Sequence, residues 1–515
     1  MFLISLVWFM VHTNGRIDLA KRTKRRRVVS TADYKFKSTP RPYQQVVFEQ
    51  SRDREWYAIF LEQGLGKTKI ALDTAAWLYD TGEINALVVT APNGIHREWA
   101  TDQIPEHLPD RVRACSLIWR SGRVGGKAYT KELNDLIGHE GLAVFLINVE
   151  AVITKAGKAY LKKFLLARRT LMVIDESTTI KNPGASRTKL LSAARKYADY
   201  RRIMSGTPTP QGPFDYYSQF RFLSPSILGF DSFYVFKHHF GSFERKFAGG
   251  STGHQYDSLT EYRNLSELRD MIADHSVRLT KKDCAVDLPP KIYKKRYYPL
   301  PSDQRKIYNR LRDEFLIELS GGSVGIPMVL TRITRLQQIT CGFLPADFDD
   351  PDAGWEDVGD KQPRIEMAME AILDSPGKTI VWCRFRHDVD ALCEAFSQAD
   401  VAAVRYDGAV PQNKRPAALK AFREGKARVF VGNPHAGGRG LNLQVADTVV
   451  YFSNDFSLEA RLQSEDRAHR LGQKNTVVYI DLIAENTVDE KIVTALRDKK
   501  SMADLLTGDD PEEWL

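Results

Sequence analysis

Short apolar runs that end in turn-forming residues alternate with longer amphipathic segments over residues 41–222, and this alternation restricts the fold more than any other feature of the chain. Strands that repeatedly alternate with helical segments predict a parallel sheet covered by helices. The first block therefore predicts an α/β lobe. Its four runs are ALVVTAP (86–92), LAVFLINVE (142–150), TLMVIDE (170–176) and YRRIMSGTP (200–208).

The alternation stops at residue 223 and resumes after residue 361. Residues 223–295 are rich in Phe, Tyr, His and Lys without a strand rhythm, whereas apolar residues spaced three and four apart over 302–340 predict helices. An acidic, turn-rich stretch at 345–354 precedes the second α/β block. The runs of that block are KTIVWCRF (378–385), AAVRYDG (402–408), ARVFVGNP (427–434), DTVVYFS (447–453) and VVYIDLI (477–483).

The expected architecture is α/β: two parallel-sheet lobes with a largely helical insertion between them. A chain of 515 residues is too long for one hydrophobic core, which agrees with several domains. The predicted division is a small basic N-terminal segment with β structure (1–40), a first lobe (41–222), a helical insertion and linker (223–360), a second lobe (361–500) and a C-terminal tail (501–515).

Composition narrows the class of protein without choosing a function. The net charge of +9 is compatible with a polyanionic partner. The five cysteines are scattered and form no C-x-x-C pair, which argues against a zinc site and a disulfide framework and favours a reducing compartment. The compact length suits a bacterial or phage protein, so we expect a cytoplasmic location in a bacterium or an infected host cell.

The N-terminal segment contains two unusual stretches. MFLISLVWFMV (1–11) lacks preceding basic residues and a clear cleavage site and is too short to span a bilayer, so it predicts a buried strand and no membrane association. KRTKRRRVV (21–29) is strongly basic. It fits a solvated hairpin face or a patch that contacts phosphates, and the sequence does not choose between them.

The first candidate for chemistry is a phosphate-binding loop, EQGLGKT, at residues 62–68. Phosphate binding requires backbone N–H groups that converge at a helix N-terminus and a lysine that reaches the outer phosphates. Gly64 and Gly66 permit the close backbone approach, and Lys67 and Thr68 follow them. The full eight-residue pattern opens with glycine, but Leu61 occupies that position here.

Two further stretches supply the groups that a phosphate loop needs for hydrolysis. LMVIDE (171–176) is an apolar strand that ends in acids, so Asp175 is predicted to hold Mg²⁺ opposite the Thr68 hydroxyl and Glu176 to polarise the attacking water. The alternative is a simple turn after a strand. In QSEDRAHRLGQ (463–473), Arg467 and Arg470 share a face if the segment is helical, and in a cleft they would stabilise charge on the transferred phosphoryl group.

These motifs together resemble the superfamily 2 helicase-type ATPases, specifically the Swi/Snf-type DNA translocases, over residues 40–495. The resemblance rests on motifs that occur in the family's order. They are RPYQ (41–44), GLGKT (64–68) as motif I, TAPNGIHREWATD (90–102) as motif Ia with Trp99, DESTTIKN (175–182) as motif II, SGTP (205–208) as motif III, LPSDQRKIY (300–308), RLQQITCG (335–342), HAGGRGLNLQVADTVV (435–450) as motif V and QSEDRAHRLGQ as motif VI.

The resemblance implies RecA-like lobes that bind ATP and Mg²⁺ between them. It assigns catalysis to Lys67, Asp175, Glu176, Arg467 and Arg470. It assigns nucleotide contacts to Gln44, which reads the base, and to Gly64, Gly66, Lys67, Thr68, Gly438 and Gln463, and metal binding to Thr68 and Asp175.

The implied partner is double-stranded or branched DNA, which the protein would hold through its phosphates without sequence specificity. Each ATP cycle would then move the protein along the DNA. Candidate contacts are Thr90, the backbone of Ser205–Thr207 and the loop 437–442. Protein partners are not identified. The alternatives are a strand-separating helicase with a wedge in 223–260, a non-catalytic DNA-binding scaffold, and the motor subunit of a restriction complex.

The chain departs from the family pattern in motif II and in motif III. The family usually carries His at the fourth place of motif II, and the resemblance assigns that side chain to coupling with motif III. This chain has Thr178 there. Motif III normally continues to an Asn after the Gln, but here Gln211 is followed by Gly212.

Overall fold

A computed structural model describes residues 34–248, 254–284, 288–320, 326–346, 354–359, 361–411, 413–434, 441–470 and 472–498. The predictions for residues 1–11 and 21–29 and for the tail 501–515 lie outside these ranges. No helix within them is long and apolar enough to cross a membrane.

The strands of the described residues fall into two large parallel sheets and two small antiparallel pairs. In chain order they are Trp56–Leu61 (β1), Ala86–Ala91 (β2), Ala114–Ile118 (β3), Leu142–Asn148 (β4), Thr170–Asp175 (β5), Tyr200–Met204 (β6), Gly241–Ala248 (β7), His254–Tyr262 (β8), Ser276–Leu279 (β9), Lys291–Tyr298 (β10), Phe343–Pro345 (β11), Trp355–Asp357 (β12), Lys378–Trp382 (β13), Ala403–Tyr406 (β14), Val429–Gly432 (β15), Ala446–Tyr451 (β16) and Val477–Ala484 (β17).

The α-helices of the same residues cover the sheets and fill the segment between them. In chain order they are Pro42–Ser51 (α1), Lys67–Asp80 (α2), Ile95–Glu98 (α3), Ile104–His107 (α4), Lys127–Gly138 (α5), Lys155–Ala167 (α6), Ser186–Ala194 (α7), Tyr216–Leu223 (α8), Pro225–Leu228 (α9), Phe233–Phe240 (α10), Leu265–Ala273 (α11), Ser302–Ser320 (α12), Ile326–Thr340 (α13), Pro363–Leu373 (α14), Arg386–Gln398 (α15), Arg415–Arg423 (α16), Leu458–Glu465 (α17) and Val488–Arg497 (α18).

The first lobe contains a parallel sheet in the order β3-β4-β2-β5-β6-β1-β9. Consecutive side chains along its strands point to opposite faces and enter two hydrophobic clusters. Phe60, Val88 and Phe145 belong to one cluster, while Val89 and Val144 belong to the other. Both faces of the sheet are therefore buried, which explains why β2, β4 and β5 read as continuous apolar runs.

The second lobe repeats this plan with the order β10-β17-β16-β13-β15-β14. Ile380 and Trp382 face one cluster, while Val381 of the same strand faces the other. The prediction of two parallel-sheet α/β lobes with many helices is confirmed by this topology. Parallel strands present their carboxyl ends at one edge of each sheet, where ligands of open α/β sheets bind.

The described residues of the segment 223–360 form more helix than strand, but the segment also contributes strands. It includes an antiparallel hairpin of β7 and β8, and it adds β9 to the first sheet beside β1 and β10 to the second sheet beside β17. The sequences of β9 and β10, SVRL and KIYKKRYY, are short or polar, so they lack the apolar run that marks a buried strand. Backbone pairing with a neighbouring strand determines these elements.

A buried ion pair joins α14 to α18 in the second lobe. The guanidinium of Arg364 donates to the Asp489 carboxylate, to Tyr298 Oη at 2.6 Å and to Phe452 O at 2.7 Å. We expect Arg364→Met to lower the free energy of unfolding by about 3–5 kcal/mol, because the Asp489 charge would remain buried without its partner. Urea denaturation measures this, and the exposed Arg386→Met variant should change it by less than about 0.5 kcal/mol.

Candidate active site

A cavity of about 250 Å³ lies between the two lobes, at the carboxyl end of β1 and β5. We call it the nucleotide cleft. Its lining comes from the phosphate loop, the segment around Trp99, the end of β5 and the second lobe. The lining residues are Gln63, Gly64, Gly66, Lys67, Thr68, Lys69, Ile95, Glu98, Trp99, Gln103, Glu106, His107, Asp175, Glu176, Gln463, Asp466, Arg467 and Arg470.

The phosphate loop joins β1 to α2 in a backbone conformation that requires glycine. Gly64 has φ +86° and Gly66 has φ +80°. A Cβ atom on Gly66 would also come within 2.2 Å of Gln44 Nε2, so a side chain there is excluded. The turn directs the start of α2, at Lys67 and Thr68, towards the cleft, and the unpaired N–H groups of a helix start favour an anion.

The Lys67 ammonium group is buried in this cleft. It donates to Leu61 O at 2.9 Å and to Gln63 Oε1 at 3.3 Å, both of which are neutral acceptors. Burial lowers the pKa of Lys67, while the nearby charges of Glu176 and Asp175 oppose that shift. The phosphates of a nucleotide would therefore meet a desolvated cation that has no close ion-pair partner among the described residues.

Asp175 ends β5 and is held by the indole of Trp99. Trp99 Nε1 donates to Asp175 Oδ2 at 3.0 Å, and the backbone N–H of Glu176 donates to Asp175 Oδ1 at 3.1 Å. Burial raises the pKa of Asp175 to about 6, the charge of Glu176 adds to the shift, and the Trp99 bond opposes it. Asp175 and Thr68 thus place a carboxylate and a hydroxyl on one cleft, and oxygen ligands of this kind suit Mg²⁺.

Glu176 follows Asp175 in a strained backbone conformation with φ +53°. Gln63 Nε2 donates to its Oε1 atom at 2.8 Å. Its Oε2 atom is buried and has no hydrogen-bond partner among the described residues. An unpartnered carboxylate oxygen beside the phosphate loop is suited to accept a proton from a water molecule, so these residues fit a triphosphate and its metal ion.

Sequence reasoning missed Gln63, which contacts two of the predicted catalytic residues. Its amide oxygen accepts from Lys67 and its amide nitrogen donates to Glu176. The same side chain packs against Gly206 of motif III, where an added Cβ would lie 3.1 Å from it. The only indication in the sequence was an amide side chain at a position where the phosphate-loop pattern specifies no residue type.

The arginines of motif VI lie in a turn and not on a helix, so the helical interpretation of this segment is wrong. Helix α17 ends at Glu465, and residues 466–470, which we call the arginine turn, follow it. The backbone leaves the helical path where Leu443 N–H donates to Arg467 O at 3.0 Å. The turn nevertheless brings both Arg467 and Arg470 to the nucleotide cleft.

Both arginines are half-buried in the cleft. Burial lowers the pKa of Arg467 to about 10 and also lowers the pKa of Arg470. Glu98 lines the same cavity, and burial raises its pKa to about 7 against the opposing charge of Arg467. Glu98 was not predicted, and its sequence signal is weak because it is one acid in the short helix α3.

Thr178 of the first lobe and Gln463 of the second lobe share one acceptor, the Glu459 carboxylate of α17. Gln463 Nε2 donates to Glu459 Oε1 at 2.9 Å, and Thr178 Oγ1 donates to the same oxygen at 3.3 Å. Thr178 occupies the place where the family usually carries His. In this chain that place therefore connects motif II to the second lobe.

A buried glutamine connects motif II to motif III within the first lobe. Ser177 Oγ donates to Gln219 Oε1 at 2.6 Å, and Gln219 Nε2 donates to Pro208 O at 2.7 Å and to Asp215 O at 2.9 Å. Gln219 belongs to α8 and is fully buried. Sequence reasoning missed it, although an amide inside the aromatic helix YYSQFRFL was a visible signal.

Not every predicted site residue lines the cleft. Gln44 lies behind the phosphate loop, where its amide donates to Leu65 O at 3.0 Å and accepts from Arg41 N–H at 2.9 Å, so base contact stays a prediction. Gly438 lies outside the described residues. Thr90 is fully buried in β2, so the structure exposes no surface of this residue for the predicted DNA contact.

Two parallel-sheet lobes that close a phosphate loop, an Asp-Glu pair and an arginine turn around one cavity define a helicase-type ATPase. Comparison with family models agrees: an SNF2-related domain matches residues 3–342, and a helicase conserved C-terminal domain matches residues 364–472. The chain belongs to the SNF2-related family, and the resemblance inferred from its motifs is confirmed.

Individual relatives are distant and much longer. The chain is 28% identical over 340 residues to the SWI/SNF chromatin-remodeling complex subunit snf22 of Schizosaccharomyces pombe, covering 63% of this chain and 20% of that protein. It is 25% identical over 451 residues to an uncharacterized ATP-dependent helicase of Mycoplasma pneumoniae, covering 86% and 39%. The Sulfolobus solfataricus SWI2/SNF2 ATPase core in complex with dsDNA aligns with TM-score 0.40 and 22% identity, covering 94% of this chain and 96% of that one.

Proposed function

We propose that this chain hydrolyses ATP in response to double-stranded DNA and uses the energy to move along the duplex. One observation carries the proposal: Lys67, Asp175 and Glu176 of the first lobe and Arg467 and Arg470 of the second lobe line a single cavity. A site assembled from two lobes is complete only when they meet, so hydrolysis and lobe movement are linked.

The residues of the cleft have separate roles in this reaction. The start of α2 and the Lys67 ammonium bind the ATP phosphates, and Thr68 and Asp175 would hold Mg²⁺, which would supply positive charge beside the phosphate oxygens. Glu176 orients the attacking water and accepts its proton.

The second lobe completes the site. Arg467 and Arg470 stabilise the charge that develops on the transferred phosphoryl group, and Gln463 stands beside them in the cleft. These groups belong to the second lobe and Lys67 belongs to the first, so ATP contacts both lobes only when they are closed. ATP binding therefore favours closure of the two lobes. Loss of phosphate and ADP favours opening.

The DNA part of the proposal is supported by the names of relatives, which include chromatin-remodeling proteins and chromodomain-helicase-DNA-binding protein 1-like of Mus musculus. The net charge of +9 suits a phosphate backbone. Contacts to phosphates carry no base information, so binding should be non-specific and should weaken steeply with salt.

The proposal is tested by phosphate release measured without DNA and with single-stranded, duplex and branched DNA. Stimulation by duplex DNA supports the motor, and hydrolysis that no DNA stimulates contradicts it. Displacement of a third strand from a triplex then tests translocation. A protein that binds DNA but never hydrolyses ATP would instead be the non-catalytic scaffold.

Strand separation is a second candidate function, because the antiparallel hairpin of β7 and β8 lies largely within residues 223–260, the segment in which the sequence allowed a strand-separating wedge. A forked duplex with a fluorophore and quencher distinguishes the two activities. Triplex displacement without unwinding of the fork identifies a translocase. Unwinding of the fork identifies a strand-separating helicase.

The Gln219 contact yields a prediction on coupling. Gln219→Leu removes the bonds that join Ser177 to Pro208 but keeps a similar volume, so we expect DNA stimulation of ATP hydrolysis to fall about tenfold. The rate without DNA should fall less. Ser218→Ala is the matched control, since Ser218 is the adjacent buried residue and its hydroxyl has no partner among the described residues. Equal DNA stimulation in both variants would contradict this role.

A further inference from the structure

Lys281 joins the phosphate loop to the arginine turn across the nucleotide cleft. Its Nζ atom donates to Asp466 Oδ1 at 2.8 Å and to His469 O at 3.1 Å, and both acceptors belong to the arginine turn. On the first lobe, its backbone N–H donates to Glu62 Oε2 at 2.8 Å, and its Nζ lies 3.7 Å from Glu62 Oε1. Glu62 is the first residue of the phosphate loop.

The sheet topology explains how one lysine reaches both elements. Strands β1 and β9 are parallel neighbours and end side by side, with Leu61 paired to Leu279. The chain after β1 becomes the phosphate loop, and the chain after β9 reaches Lys281 two residues later. The Glu62 N–H also donates to Leu279 O at 2.9 Å, so the two strand ends are fixed together.

The hydrogen-bond partners of Lys281 indicate that this residue positions the arginine turn more than it stabilises the fold. The side chain is only 10% exposed, and a buried ion pair contributes little net stability because desolvation offsets the attraction. Its two acceptors flank Arg467 in the chain: Asp466 directly precedes Arg467, and His469 directly precedes Arg470. Fixing both points restricts the backbone that carries the two arginines.

We propose that Lys281 is a positioning residue for ATP hydrolysis, which holds the arginine turn against the phosphate loop so that Arg467 and Arg470 face the reacting phosphate. This inference rests on the proposed ATPase function and assigns no substrate contact to Lys281 itself. It predicts a defect in the chemical step and not in nucleotide binding, because Lys67, Thr68 and Asp175 do not depend on the contact.

The expected result for Lys281→Met is a fall in kcat on the order of 100-fold, the effect of displacing a catalytic group by about 1 Å. The KM for ATP and the affinity for a fluorescent ATP analogue should change by less than about threefold. Lys281→Arg keeps the charge and the reach, so it should restore most of kcat. A residue with only a structural role would not give this separation of kcat from ATP affinity.

Lys282→Met is the matched control, because Lys282 is the adjacent lysine and its side chain is exposed. It should hydrolyse ATP at the wild-type rate. Asp466→Asn removes the partner on the arginine turn and should reproduce the loss in kcat, which keeps the test valid if Lys281→Met folds poorly.

The outcomes separate this inference from the proposed function. A wild-type chain that shows no DNA-stimulated hydrolysis contradicts the proposed function. A wild-type chain that hydrolyses ATP while Lys281→Met and Asp466→Asn keep the kcat of Lys282→Met overturns the positioning role. Equal losses in ATP affinity and kcat in Lys281→Met also overturn it, because they would show a general disturbance of the cleft.

Discussion

Replacement of Lys67 by alanine should reduce ATP hydrolysis to background while the protein remains folded. The Lys67 ammonium is buried at the start of α2 with neutral acceptors, whereas Lys69, which also lines the cleft, is paired with Asp73 at 2.8 Å. Burial already lowers the pKa of Lys67, so its removal relieves a desolvation cost. We therefore expect the thermal midpoint to stay within about 4 °C of the wild type, the shift that ~1 kcal/mol produces in a large domain.

Phosphate release with duplex DNA and thermal unfolding measure the two parts of this expectation. Lys127→Ala is a matched control, because Lys127 also begins a helix directly after a glycine but is exposed on α5. It should retain full activity. Turnover by the Lys67→Ala protein above background would refute the assignment of the phosphate loop.

Replacement of Arg467 by methionine should lower kcat by a factor on the order of 10³ or more, the usual effect of losing an arginine that stabilises a transferred phosphoryl group. The guanidinium is half-buried between the lobes, where burial lowers its pKa to about 10, so its charge is screened less than it would be in bulk water. ATP affinity should change much less, since the first lobe keeps its phosphate and metal ligands.

Single-turnover hydrolysis and binding of a fluorescent ATP analogue measure these two quantities. Arg386→Met, on the exposed surface of the same lobe, should behave as the wild type. If Arg467→Met loses ATP affinity in proportion to its rate, the arginine contributes to ground-state binding and the proposed role is wrong.

The sequence allowed good prediction of features that depend on local chain geometry. Apolar runs identified β2, β4 and β5, because strands buried on both faces tolerate few polar residues. The phosphate loop was predictable since its glycines and the strand–helix order are contiguous in sequence. Asp175 and Glu176 followed from their place at a strand end.

Features that depend on tertiary contacts were not predictable from the sequence. The Trp99 indole reaches Asp175 from a different element, and the contacts of Gln219 with two motifs depend on where α8 packs. The arginine turn follows the end of α17 at Glu465, and its Arg467 carbonyl accepts a hydrogen bond from Leu443 N–H, which is distant in sequence. Lys281 contacts both the phosphate loop and the arginine turn only because the short strand β9 pairs with β1.

Among the described residues, the strands of the first large sheet lie before Lys281 and those of the second lie after it, so the polypeptide crosses from one sheet to the other between β9 and β10. The covalent path from Leu279 to Lys291 extends to about 40 Å at most. In the proposed motor, force would pass between the two lobes through this one peptide linker and through the non-covalent contacts of the closed state. The length of the linker would set an upper limit on how far Leu279 and Lys291 can separate in one ATP cycle.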